Sequence, residues 1–304
     1  HRTSARHSNS YILGVVNGLL EHLSKLNQTP GVIVIGATNH PDLVDPAILR
    51  PGRFDLHLEM GPPDRTGIIR LLRKELQSAH ATFDVEAVAN HLLGASAAQV
   101  TAVIRDARGL ARSQAAPLAQ QHLITAAGHL APSPSPDILW RTAVHEAGHV
   151  VVTHLLGLPP AERATITLAG GFIDLPSTPL ETRSSALNRV AALLGGRAAE
   201  ELLLGENSNG AGLGKGSDLE IATQLVGRML FEWGIGDQLM HAAHSALPAG
   251  ATDKIEPLLQ AAHIRAAEII EMQRPLVIKL AEDLLSEREL PSERLQELLQ
   301  DNQP

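Results

Sequence analysis

The sequence predicts an α/β segment at the start of the chain, a small helical bundle after it, and a mainly α domain filling the second half. Three observations predict this. Gly31-Val32-Ile33-Val34-Ile35-Gly36 is a short β-branched run bounded by glycines, apolar residues recur at helical spacing from Asp64 to about Gln121, and a proline-alternating spacer precedes a long helical pattern. The boundaries so placed are 1–63 for the α/β segment, 64–130 for the bundle, 131–136 for a linker and 137–304 for the second domain.

The glycine-bounded run suits a strand buried on both faces, as in a parallel sheet covered by helices. Before it, Tyr11 to Leu26 carries Ile12, Val15, Val16, Leu19, Leu20 and Leu23 at helical spacing. After it, Asn39-His40-Pro41-Asp42, Asp45-Pro46 and Arg50-Pro51-Gly52-Arg53 are turn-rich. Three stripes then predict three or four short helices. They are Ile68, Ile69, Leu71, Leu72 and Leu76, then Val85, Val88, Ala89 and Leu92, then Val100, Val103, Ile104, Ala107 and Leu110. Alternating prolines in Ala131-Pro132-Ser133-Pro134-Ser135-Pro136 favour an extended spacer. A long helix is expected from Pro136 to Leu156, stopped by Gly157 and Pro159-Pro160, and a short strand at Ala164–Leu168. Further helices are expected near 184–204, 217–233, 253–286 and 291–300.

Composition narrows the function. At 304 residues the chain can bury a full core, and 44% hydrophobic against 19% charged residues is the balance of a soluble globular protein. Aromatics are only 2%, so aliphatic side chains and alanine must fill that core, which favours helix packing. A net charge of −8 argues against a partner that offers a phosphate backbone, so nucleic acid is not expected. With no cysteine, any metal must be held by histidine and carboxylate. No run approaches the roughly 20 apolar residues that cross a bilayer, so no membrane segment is expected in this chain and these 304 residues are expected to be soluble. The chain opens on His1 rather than Met, and an upstream extension is expected.

The chemistry centres on His145-Glu146-Ala147-Gly148-His149, an H-E-x-x-H pattern. Histidines four apart share one face of a helix, so both imidazoles can hold one metal ion. Glu146, offset along the same turn, can take a proton from a metal-activated water. Gly148 leaves room for another backbone. The competing reading is a pair of satisfied core histidines, but the match lies inside an independently expected helix, which favours the metal. A third protein ligand is needed. Asp218 is a candidate, in the first turn of a helix that Ser217 and Glu220 would open as a capping box. On chemistry alone, an acid that complements the helix dipole is the preferred reading of Asp218. The glycines at 210–214 fit neither a P-loop nor G-x-G-x-x-G.

With these residues assembled, the chain resembles the FtsH-type AAA proteases, ATP-driven hexameric zinc enzymes. Gly36-Ala37-Thr38-Asn39 with Asp45-Pro46-Ala47-Ile48-Leu49-Arg50-Pro51-Gly52-Arg53-Phe54-Asp55 resembles the second half of an AAA core. The helices from Asp64 resemble its lid, with Gly94-Ala95-Ser96-Ala97-Ala98 at the lid's glycine turn. His145–His149 matches the peptidase motif, and Leu194-Gly195-Gly196-Arg197-Ala198-Ala199-Glu200-Glu201 resembles the family's glycine-containing helix. Ser217-Asp218-Leu219-Glu220-Ile221-Ala222-Thr223 stands where the family supplies an aspartate ligand, which reverses the preference at Asp218.

The fold so implied is an α/β AAA core remnant with a helical lid, followed by a mainly α zinc-peptidase domain. The resemblance implies zinc held by His145, His149 and Asp218, with Glu146 as base. It makes Asn39 a sensor of the nucleotide's γ-phosphate, and Arg50 and Arg53 arginine fingers to a neighbouring subunit. Glu200 and Glu201 read equally as hydrogen-bonding supports of the site or as solvated acids. ATP and magnesium belong to the full-length parent only, because no Walker A lysine loop, Walker B strand or aromatic pore loop occurs in these residues. Leu56 replaces the arginine usual after Gly-Arg-Phe-Asp, and Ala97 a common second glycine. The implied function is ATP-dependent cleavage of unfolded or membrane proteins by a homo-hexamer on the cytoplasmic side of a membrane. The alternatives are a non-catalytic assembly subunit of such a ring, and a zinc hydrolase without a motor.

Overall fold

The computed structural model describes residues 18–26, 28–50, 52–54, 56–58, 60–77, 83–130, 134–167, 170–174, 180–212, 214, 216–236, 239, 241 and 250–300. The chain divides at Gly61 and Pro62 into two compact units.

In the first unit, helix α1 covers residues 18–26, with Leu23 buried on its inner side. The part of that expected helix before residue 18 lies outside the described residues. A 3-10 turn at Pro41–Leu43 follows, and the Asp45 carboxylate accepts from the Ala47 amide at 2.8 Å. The strand expected at 31–36 is not formed. The segment is extended, but among the described residues no strand pairs with it, and Ile33 and Ile35 are 86% and 87% exposed. β-branched residues favour extended backbone, but a strand needs a neighbour's N–H and C=O groups to complete its ladder.

The second unit begins with four helices, α2 (Arg65–Leu76), α3 (Val85–Asn90), α4 (Ala97–Ser113) and α5 (Gln120–Leu130). Asp64 and Asp84 cap the first two through their carboxylates, and Ser96 with Gln99 forms a full capping box on α4. The three stripes meet in one core around Ile68, Leu72, Leu92, Leu93, Ile104 and Leu123. Gly94, at φ +86°, makes the turn before α4, and a Cβ there would lie 3.0 Å from Thr167. The Arg65 amide at the start of α2 donates to both oxygens of Glu289 at 3.3 Å. The bundle is thus tied to the structure that follows.

That structure is built around α6 (Pro136–Leu155), which Ser135 caps and whose residues 143–153 are all buried. Of the expected linker, 131–133 lie outside the described residues, while Pro136 already occupies the first helical turn, where its missing N–H costs nothing. Around α6 pack α7 (Arg183–Leu193), α8 (Gly195–Leu204), α10 (Thr252–Met272) and α11 (Arg274–Glu287), with α9 (Asp218–Phe231) against α7 and α10. A three-stranded antiparallel sheet, β2 (Gly170–Asp174), β1 (Arg163–Thr167) and β3 (Glu289–Pro291) in that order, lies beside α6, and α12 (Ser292–Gln300) ends the fold.

Two helices expected as single pieces are each broken. Residues 184–204 divide at Leu194, ahead of the Gly195-Gly196 pair, and 253–286 divide at Gln273, where Pro275 cannot continue the backbone ladder. The capping box expected at Ser217 is absent. Ser217 holds the N-cap position without a side-chain bond, and Glu220 reaches back to the Gly216 amide at 2.6 Å instead.

Helices α6 and α8 approach each other closely. A Cβ on Gly148 would stand 2.5 Å from the Gly195 carbonyl oxygen and 2.6 Å from Ala199 Cβ. Gly148→Ala should therefore lose stability, although alanine favours an isolated helix by about 1 kcal/mol. Overpacking against fixed backbone costs about 1–3 kcal/mol, and a net loss of about 2 kcal/mol is expected as a lower urea midpoint. An unchanged or raised midpoint would contradict the packing described.

Candidate metal centre

Helix α6 presents His145, Glu146 and His149 in its most buried stretch, at 8%, 5% and 7% exposure. Polar groups this deep need partners, and each imidazole has one. His145 Nδ1 donates to Glu200 Oε1 at 2.7 Å, and His149 Nδ1 donates to the Ala192 carbonyl at 2.7 Å. A carbonyl and an ionised carboxylate only accept, so both Nδ1 atoms carry a hydrogen, and each ring in its neutral form offers its Nε2 lone pair.

Those lone pairs face one another. His145 Nε2 and His149 Nε2 are 3.1 Å apart, and Asp218 Oδ2 lies 3.2 Å from the first and 3.4 Å from the second. Three electron-rich atoms converging in this way repel unless a cation or a proton stands among them. A tetrahedral zinc with ligand bonds of about 2.0–2.1 Å sets its ligands about 3.3 Å apart. The triangle matches, and two imidazoles with a carboxylate are a zinc donor set that leaves a fourth position open. Asp218 comes from the first turn of α9, so the third donor enters from a separate helix.

Two glycines make space for the chemistry. A Cβ at Gly196 would lie 2.6 Å from the Nε2 atoms of both imidazoles, and one at Gly171 on β2 would lie 2.2 Å from Glu146 Oε1. No other residue fits at either position with the neighbours where they are.

The charges respond to this crowding. Burial alone lowers the pKa of His145, yet hydrogen bonds to Asp218 and Glu200 and the charge of Glu146 outweigh it and push it up to about 10. Burial raises the Asp218 carboxyl, but hydrogen bonds and charge from the two imidazoles hold it well below the usual carboxylate range. Burial also raises Glu200, and bonds from His145, Arg141 and Ser208 bring it down to about 2. Glu146 is different. Burial pushes its proton affinity up, and the imidazoles only partly offset this.

Glu200 and Glu201 are equal candidates in the sequence, and the structure separates them. Glu200 is 2% exposed and bonded to His145, whereas the Glu201 carboxylate is 51% exposed and meets Asn207 and His263. The signal available in the sequence is register: on α8, position 200 is one turn on from Gly196, which faces the imidazoles. The Ala192 carbonyl carries no sequence signal, because any residue supplies one.

The other singled-out residues lie in the first unit. Asn39 is exposed at a bend, and Arg50 is exposed at the turn after Leu49. Arg53 is half-buried and folds back on its own segment, donating from Nη1 to the Ala47 carbonyl and from Nε to Ser24 Oγ at 3.4 Å.

Comparison with known proteins finds relatives of two families. Residues 139–249 match the model of peptidase family M41, and residues 1–62 that of the ATPase family associated with various cellular activities (AAA). ATP-dependent zinc metalloprotease FtsH 2 of Symbiobacterium thermophilum is 33% identical over 93% of this chain and 53% of its own length. FtsH 1 of the same organism is 35% identical over 94% and 51%, and FtsH of Kosmotoga olearia 29% identical over 93% and 49%. The chain spans about half the length of these curated relatives.

A pH dependence follows for the chain stripped of metal. The His145 pKa is raised on folding from 6.5 to about 10, so its contribution to stability is complete below about pH 6.5 and is lost as pH rises through about 10. In chelator-treated samples, the difference in urea midpoint between wild type and His145→Ala is expected to shrink across that window. A difference that grows with pH would contradict the assignment.

Proposed function

Because the chain belongs to the FtsH-type family of AAA zinc metalloproteases, we propose that it is the C-terminal part of an ATP-dependent zinc metallo-endopeptidase that degrades unfolded or membrane proteins. The observation that carries this reading is the convergence of His145, His149 and Asp218 beside the buried Glu146.

His145, His149 and Asp218 are the residues that would hold zinc. When bound there, zinc supplies Lewis-acid polarisation of a peptide carbonyl and lowers the pKa of a water towards about 7. Glu146 accepts the proton of the attacking water on its carboxylate and returns it to the leaving amide nitrogen. Its raised proton affinity suits that task, since a base works best when its pKa approaches the working pH. Gly171 leaves clear the space that the Glu146 carboxylate occupies. Glu200 and the Ala192 carbonyl keep each imidazole in the tautomer that offers Nε2.

The family matches support the following reading of the rest of the chain. Residues 1–63 are the C-terminal half of the AAA core, 64–130 its helical lid, 131–136 a linker and 137–304 the zinc-peptidase domain. In the full-length parent Asn39 senses the γ-phosphate of ATP. Arg50 and Arg53 reach the nucleotide of the next subunit in a homo-hexameric ring, on the cytoplasmic side of a membrane. Arg50 is exposed as such a role requires, and Arg53 would first have to leave the Ala47 carbonyl. Among the described residues no helix is long and apolar enough to cross a membrane.

Unfolded casein needs no unfolding motor, so cleavage by the chain itself tests the peptidase. Glu146→Gln should retain zinc and lose cleavage by about 10²-fold or more, the usual worth of a general base. Asp218→Ala should lose most of both zinc and cleavage. Normal cleavage by Glu146→Gln would remove the mechanism. A wild-type chain that neither contains nor takes up zinc would favour the non-catalytic assembly subunit.

A further inference from the structure

We propose that Arg141 is a positioning residue for the metal centre, clamping Glu200 in the orientation that aims His145 Nε2 at the other two donors. The proposal rests on the metal-site reading above and adds a residue outside the H-E-x-x-H motif.

Arg141 stands four residues before His145 and so lies one turn away on the same face of α6. Its Nη1 donates to Glu200 Oε2 at 2.9 Å and to the backbone carbonyl of Glu206 at 2.8 Å, while Nη2 lies 3.6 Å from the Glu206 carboxylate. The Ser208 amide also donates to Glu200 Oε2, at 2.8 Å, and its hydroxyl to Oε1, at 3.0 Å. With the His145 bond on Oε1, the Glu200 carboxylate takes four donors. Arg141 is the one guanidinium among the three residues that supply them.

The distribution of these bonds matters more than their number. Oε2 is held by Arg141 and the Ser208 amide, which leaves Oε1 fixed in direction toward the imidazole. The Arg141 guanidinium holds Oε2 through a single charged bond from Nη1, which also donates to the Glu206 carbonyl. The same group grips Glu206, and through it the short segment after α8 that delivers Ser208. Without the guanidinium, one of the two donors on Oε2 is lost and the segment that carries Ser208 is released at Glu206. The carboxylate can then turn, and His145 Nδ1 loses the acceptor that keeps its ring in place. Arg141 touches none of the atoms that would react. Its effect reaches the imidazole through Glu200, directly and by way of the segment that carries Ser208.

His149 provides an internal control, because its Nδ1 is held by the Ala192 carbonyl, which Arg141 does not touch. The test compares wild type, Arg141→Met and Arg141→Gln by zinc affinity, through competition with a chromogenic chelator. It also follows the two Nδ1–H resonances in zinc-loaded, 15N-histidine-labelled chain. Arg141→Met should bind zinc about 10–100-fold more weakly, the usual cost of disturbing a ligand's outer partner. It should also lose the His145 Nδ1–H signal to solvent exchange while keeping that of His149. Arg141→Gln should move the same way by a smaller factor.

Zinc affinity within about twofold of wild type in Arg141→Met overturns the proposal. So does simultaneous loss of both resonances, which marks a general structural role, or failure of both variants to fold. A wild-type chain that binds no more zinc than His145→Ala overturns the metal-site reading and this proposal together. That result is distinct from any confined to the Arg141 variants.

Discussion

Two imidazole nitrogens 3.1 Å apart, with a carboxylate oxygen in contact with both, form an arrangement that water would ordinarily pull apart. The second unit is organised to prevent that. Helix α6 is buried through its whole central stretch, so its histidines cannot swing into solvent, and each ring is held from behind on its Nδ1 side. The cost of gathering three electron-rich atoms is met by tertiary packing, since the motif's own helix could not hold them. The electrostatics agree with the geometry: the site raises the basicity of His145 and the acidity of Asp218, both in the direction that invites positive charge.

The approach of α6 to α8 and to β2 is as specific as the ligands themselves. Gly148 and Gly195 let two backbones meet, Gly196 clears the space in front of the imidazoles, and Gly171 clears it beside Glu146. None of these four residues has a φ that demands glycine on conformational grounds, apart from its neighbours. They are needed for what they lack. Helix packing of this kind brings Glu200, on the same helix as Gly196, within reach of His145.

Much of the site is legible in the sequence because it lies on helices. The four-residue spacing of His145 and His149 places both rings on one face, and the structure shows them there. Asp218 is a different matter. Its own chemistry points to a helix-dipole role, and only the ordered set of family-like motifs brings it to the metal. Periodicity cannot join residues 73 positions apart. The breaks at Leu194 and Gln273 escape the helical pattern because apolar spacing runs through them, although Gly195-Gly196 and Pro275 are in plain sight. The short β2 and β3 strands carry too few residues to show alternation, and Gly170-Gly171 has little strand preference of its own. The apolar run at 31–36 is legible as extended backbone, but a pairing partner is not a local property.

The glycines around the centre act as a gauge of volume, and this bears on how such a chain can drift. Surface charges can be exchanged one at a time with little consequence. At positions 148, 171 and 196 even the smallest step, one methyl group, meets a neighbouring backbone, the carboxylate of Glu146 or the two imidazoles. Drift there has no gentle intermediate: a larger residue becomes acceptable only after the opposing wall has already retreated. Change in this region must therefore come in coupled pairs, a glycine together with the side chain or backbone that faces it.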